Sequence, residues 1–116
     1  MDDLPSVETT VSGRCLVATV RGAMDYATQP ELRQRLKHVI THSERAVVLE
    51  LTDVSFCDSA GLSVLLGARR EAEKAAVVLV LACVPVPLRQ ILQMTRADQV
   101  LPTFDTVADA EAALSS

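Results

Sequence analysis

Two short apolar runs, residues 46–51 and 77–81, flank a stretch with helical periodicity, and this arrangement constrains the fold more than any other feature of the chain. A run of five or six apolar residues with β-branched members, broken here only by Glu50, reads as a buried central strand. The intervening helix is expected to begin at Ser59 or Ala60. It would bury Leu62, Leu65, Leu66 and Ala72 and end in the charged stretch 69–74, which suits a solvated surface.

The flanking segments extend this pattern. Val7, Thr9 and Val11 alternate with Glu8 and Thr10, and after Ser12-Gly13 residues 15–20 return to β-rich composition, which predicts a hairpin at a sheet edge. Thr28-Gln29-Pro30-Glu31 has the spacing of a capping box, and Leu32, Leu36, Val39 and Ile40 then share one helical face. Residues 52–59 read as a polar loop. Pro87 suits a helix start before Leu88, Ile91 and Leu92. Val100, Leu101 and Phe104 form a short last strand broken by Pro102, and a terminal helix follows with Thr106 and Asp109 at capping-box spacing. The predicted class is α/β, with a mixed, mostly parallel sheet of four to five strands, an N-terminal hairpin and about four helices.

With 116 residues, of which 49% are apolar, the chain has the size and composition of one domain spanning 1–116, its core covering about 7–114. Net charge is −4, and the eleven basic residues are scattered, which argues against a nucleic-acid backbone as partner. Cys15, Cys57 and Cys83 match neither a disulfide framework nor a zinc-ligand spacing and read as small core residues. The acidic start, Met1-Asp2-Asp3-Leu4-Pro5, lacks the order of a secretion signal, and residues 75–84 are too few to span a bilayer. A cytoplasmic location without membrane contact is expected.

Open parallel sheets place functional loops at the carboxyl ends of their strands, which directs attention to residues 53–61 after the third predicted strand. There Asp58 and Ser59 put an acid and a hydroxyl at a helix start, where free amides and the helix dipole can stabilise a phosphate. Gly61 is expected to leave the backbone uncovered for a partner. Asp and Ser in this position are also ordinary N-caps, so the residues by themselves leave both readings open.

The segment Val54-Ser55-Phe56-Cys57-Asp58-Ser59-Ala60-Gly61-Leu62-Ser63-Val64-Leu65-Leu66-Gly67 resembles the signature of STAS-domain anti-sigma factor antagonists. Gly22-Ala23-Met24-Asp25, followed by Thr28 and Leu32, is similar to the family's stretch between the second strand and the first helix. The resemblance runs from about residue 7 to 114. It departs from the family pattern at Ala60, where serine or threonine is frequent, at Ala75-Ala76, where a glycine pair is frequent, and at Ala23-Met24, where a glutamate-leucine pair is frequent.

The resemblance implies the STAS fold and a non-enzymatic regulator without metal or cofactor. In its unphosphorylated form such a protein binds an anti-sigma factor that is itself an ATP-binding serine kinase, and thereby releases a sigma factor. Phosphorylation, here of Ser59 in the loop with Asp58, Ala60 and Gly61, switches binding off, and a PP2C-type phosphatase reverses it. Asp25 reads either as a turn cap or as a residue that positions Ser59 or meets the kinase. Ser63 and Arg69 are the helix residues expected at the partner contact. The alternative is a STAS scaffold or ligand-sensing module without a dedicated kinase.

Other chemistries fit less well. A serine hydrolase elbow needs a glycine where Cys57 stands, and both histidines, His38 and His42, lie upstream of Ser59. The i, i+4 histidine pair lacks a recognisable third metal ligand. A phosphoacceptor receiver needs a late lysine, yet Lys74 is the last one.

Overall fold

A computed structural model describes residues 5–115, for Ser115 the backbone only, so the expectation about Met1–Leu4 lies outside the described residues. The elements are β1 (Ser6–Ser12), β2 (Cys15–Met24), α1 (Gln29–Thr41), β3 (Ala46–Glu50), β4 (Val54–Cys57), α2 (Ser59–Ala75), β5 (Val78–Ala82), α3 (Val86–Met94), β6 (Thr103–Phe104) and α4 (Val107–Ser115). A single 3-10 turn at Ala97–Gln99 joins α3 to β6.

The sheet order is β1-β2-β3-β5-β6, with β1 antiparallel and the others parallel to β2 in register. The hairpin closes on a two-residue turn, Ser12 pairing with Cys15. The apolar runs are continuous because both faces of the central strands are buried. Val47 and Leu49 of β3 and Leu79 and Leu81 of β5 face α1–α3, with Leu36, Ile40, Leu65 and Leu92 in that core. Val48, Val80 and Ala82 face the opposite side, where Ala110 of α4 covers them. Removing about 30 apolar side chains from water supplies the main stabilising term, at roughly 25 cal/mol per Å² of apolar area.

Three local expectations need correction. The stretch after β3 is not wholly loop, because Val54–Cys57 forms β4, paired in parallel with Gly22–Met24 of β2. Only Val54 of those four residues is fully buried, so no alternation marks the strand in the sequence, and its existence depends on the long partner strand. The sheet thus has six strands among the described residues. The register shifts between Gly22 and Ala23, and Gly22 takes φ 97°, a value open to glycine and strained for other residues.

The second correction concerns the entry to α1. Thr28 has helical backbone angles and makes no side-chain cap bond to α1. The reciprocal box instead lies three residues earlier. The Asp25 amide donates to Thr28 Oγ1 at 3.0 Å, and the Thr28 amide donates to Asp25 Oδ1 at 3.0 Å. At α4 the expected threonine cap does form, the Asp109 amide donating to Thr106 Oγ1 at 3.0 Å.

The third concerns the phosphosite loop, which follows the fourth strand and not the third. At its other end α2 closes on Ala76, in the left-handed region at φ 57°. Val77 N–H bonds Ala72 O and Ala76 N–H bonds Glu73 O, a Schellman pattern that normally carries glycine at this place. One residue of the family's frequent glycine pair is here replaced by a β-carbon, at a cost of about 1 kcal/mol.

Candidate functional site at the start of α2

β2 and β4 run side by side and end together, Met24 opposite Cys57, so the loops after them share one edge of the sheet. Asp58 is hydrogen-bonded from its amide to Met24 O at 3.3 Å and begins α2 as its N-cap. Its Oδ1 accepts from the amides of Ala60 at 2.9 Å and Gly61 at 3.2 Å, and its carbonyl accepts from Leu62 at 3.0 Å. Such a cap contributes about 1 kcal/mol.

Ser59 is the first residue of α2 and is exposed. No described residue hydrogen-bonds its hydroxyl. The Asp58 carboxylate occupies the amides of Ala60 and Gly61, two of those that the sequence-based reading left free for a phosphate.

Gly61 also differs from expectation. It is buried, and a β-carbon there would lie 2.3 Å from Met24 O and 2.6 Å from Cys57 Sγ. The glycine lets α2 pack directly on the ends of β2 and β4; it is not open to a partner. Ala60 is half-buried beside it.

Cys57, next to the site, is half-buried. Burial, and secondarily the Asp58 charge, push its thiol pKa up to about 11. It stays protonated at neutral pH and is a poor nucleophile there.

The structure brings only some of the predicted residues together. Asp25 lies at the same edge as Ser59 but shows the turn-capping role, its carboxylate held by the Thr28 amide. Ser63, one turn after Ser59, is half-buried and accepts from Arg33 Nη2 of α1 at 2.9 Å. Arg69 points to another flank of α2, donating from Nε to Val100 O at 2.9 Å and pairing with Glu73 at 3.1 Å. It ties α2 to the turn before β6, which removes it from the Ser59 face.

Two residues at this edge were not singled out from the sequence. Of the three aromatic residues in the chain, Tyr26 is 81% and Phe56 54% exposed, and Phe56 precedes Ser59 by three residues. Phe56 pairs with Ala23 and Tyr26 follows Met24 by two residues, so they sit on the adjacent strand ends. The only available signal was the scarcity of aromatics combined with their nearness to the two loops.

His38 and His42 stack on each other with ring centroids 4.1 Å apart, and His42 Nδ1 meets His38 O at 2.8 Å. Among the described residues no three His, Cys, Asp or Glu side chains are grouped to hold a metal, and no helix is long and apolar enough to cross a membrane.

Residues 6–110 match the STAS domain model. The chain belongs to the STAS domain family. An anti-sigma F factor antagonist from Paenibacillus polymyxa is 25% identical over 96 residues, covering 82% of each chain. The crystal structure of an anti-sigma factor antagonist from Mycobacterium paratuberculosis superposes with a TM-score of 0.88 at 26% identity, covering 100% of this chain and 98% of that one. The Bacillus cell fate determinant SpoIIAA in its phosphorylated form has a TM-score of 0.68 at 20% identity, covering 93% and 98%, a likeness of fold alone. The STAS fold expected from the sequence is thus the fold observed, with α2 and its capped start in the helix layer over the sheet.

Proposed function

We propose that this STAS protein is a cytoplasmic anti-sigma factor antagonist, a single domain across its 116 residues, that switches partners through Ser59. Unphosphorylated, it binds an anti-sigma factor serine kinase that carries its own ATP, and so frees a sigma factor. The kinase transfers the γ-phosphoryl group to Ser59 Oγ, which loses its proton, with ADP as the other product. A PP2C-type phosphatase hydrolyses the ester. The carrying observation is the exposed, unengaged hydroxyl at the first residue of α2. Exposed Tyr26 and Phe56, near the ends of β2 and β4, suit apolar anchors of a protein contact. Two similar proteins are anti-sigma factor antagonists, and one of the same fold exists in a phosphorylated form.

Magnitudes favour a switch in binding over a change of fold. A phosphate of charge about −2 held ~5 Å from the Asp58 carboxylate is repelled by about 2 kcal/mol at the dielectric of water. That is well below the roughly 5–15 kcal/mol of a domain's stability, so the fold persists. At a packed interface the same charge must also be desolvated, and together these effects approach the ~5 kcal/mol needed to move a complex from mostly bound to mostly free.

The test combines labelled ATP and the cognate kinase with mass mapping. Label should fall on Ser59 and vanish in Ser59→Ala. Ser59→Ala should keep kinase binding and Ser59→Asp lose it; equal affinities would refute the switch. Binding without any label on Ser59 would favour the scaffold or ligand-sensing alternative.

A further inference from the structure

A groove of about 240 Å³ runs between α1 and α2, away from the Ser59 hydroxyl, and its charge contrasts with the rest of the molecule. Arg33 and Lys37 line it from α1, and Arg70 and Lys74 from α2, against one carboxylate, Glu71. The whole chain has net charge −4, so this groove is a local inversion of sign.

The cations are not neutralised by close pairing. Lys74 approaches Glu71 at 3.8 Å, Arg33 bonds the neutral Ser63 hydroxyl, and among the described residues Arg70 pairs with no carboxylate. Arg33 Nη1 and Arg70 Nη2 each lie 3.8 Å from the point where Gly67 would carry a β-carbon. Two guanidiniums thus both reach the space over Gly67. Like charges so placed repel, and an oxyanion between them relieves the repulsion while accepting bonds from both forks.

From this geometry we infer that the groove docks an acidic segment of a protein partner. Arg33 and Lys37, and Arg70 and Lys74, are spaced i, i+4, so each pair advances ~6 Å along its helix and the cations form two rails. A compact anion uses one convergent point, whereas rails match carboxylates repeated along a chain. Leu36, Val64 and Ala68 contribute apolar surface to the groove, which suits the alkyl stems of Glu or Asp side chains. The acidic remainder of the surface disfavours such a segment elsewhere, giving selectivity for this groove. The inference does not depend on phosphorylation of Ser59.

The test titrates the full, isotope-labelled protein with a blocked alanine-based peptide carrying glutamates at i, i+4, followed by amide and arginine Nε shifts. Shifts should cluster at residues 33–37 and 67–74, with affinity falling roughly ten-fold between low and physiological salt. Arg33→Gln combined with Arg70→Gln should abolish them, and Arg14→Gln, an exposed cation elsewhere, should leave them unchanged. Should the double variant fail to fold, Gly67→Gln keeps every cation, fills the space between the guanidiniums, and should likewise abolish binding. Absence of shifts at millimolar peptide, shifts that persist in these variants, or pyrophosphate binding the groove without competition from the peptide would each overturn the proposal.

Discussion

Asp25 and Asp58 each follow a strand, are each half-buried, and each give a carboxylate oxygen to backbone amides at a helix entry. The hydroxyls beside them differ. Thr28 Oγ1 accepts from the Asp25 amide and donates to Ala23 O at 2.9 Å, so it is fully engaged within its loop. Ser59 Oγ is exposed and engages nothing described. The same chemistry, an acid and a hydroxyl at a helix start, is structural in one loop and available in the other. What separates them is position: Thr28 follows its aspartate by three residues and folds back on it, whereas Ser59 follows by one and makes no bond to it.

The comparison is open to direct attack. Its largest expected effect is all-or-none: the cognate kinase should label Ser59 and leave Thr28 silent, even in Ser59→Ala, as read by phosphopeptide mass mapping. Label on Thr28 would show that engagement within the loop does not protect a hydroxyl. Next is Gly61→Ala, whose β-carbon meets backbone at 2.3 Å; a loss of about 3 kcal/mol in urea unfolding is expected.

Thr28→Val should cost about 2 kcal/mol through its lost bonds and the partners left unpaired. Ser59→Ala should stay within about 0.5 kcal/mol. Equal costs would remove the distinction between the two loops. The smallest effect is a pH dependence at Cys57. The unfolded thiol ionises near 9 and the folded one at about 11, so above pH 9 the unfolded state binds fewer protons. Stability should be full below pH 9 and fall toward pH 11 by on the order of 1 kcal/mol, after discounting for partial exposure. Cys57→Ala should flatten that slope in unfolding curves measured across the range.

Much of the fold was legible in the chain. Residues 46–51 and 77–81 announced strands buried on both faces, and Val48 and Val80 on one side with Leu49 and Leu81 on the other bear that out. Ser59 at a helix start was legible as well, because N-cap chemistry is local. The misreadings share a cause. β4 carries no periodicity of its own, and Gly61 was read as leaving the backbone uncovered for a partner. Each outcome depends on a neighbour distant in sequence: β2 for β4 and Met24 for Gly61.

Sequence alone determined the strands and helices other than β4, most core-facing residues and the hydroxyl at the head of α2, since periodicity and capping are written within a few residues. Only the tertiary structure decided which hydroxyl is unengaged, which glycine is crowded, that Tyr26 and Phe56 are exposed, and that Arg33 and Arg70 both reach the space over Gly67. The crowding at Gly61 and the approach of Arg33 to Gly67 arise from contacts between segments 30 or more residues apart, as in the Arg33–Ser63 bond, where separation along the chain is 30. Local preference is silent about such pairs until the sheet and helix layers set their distances.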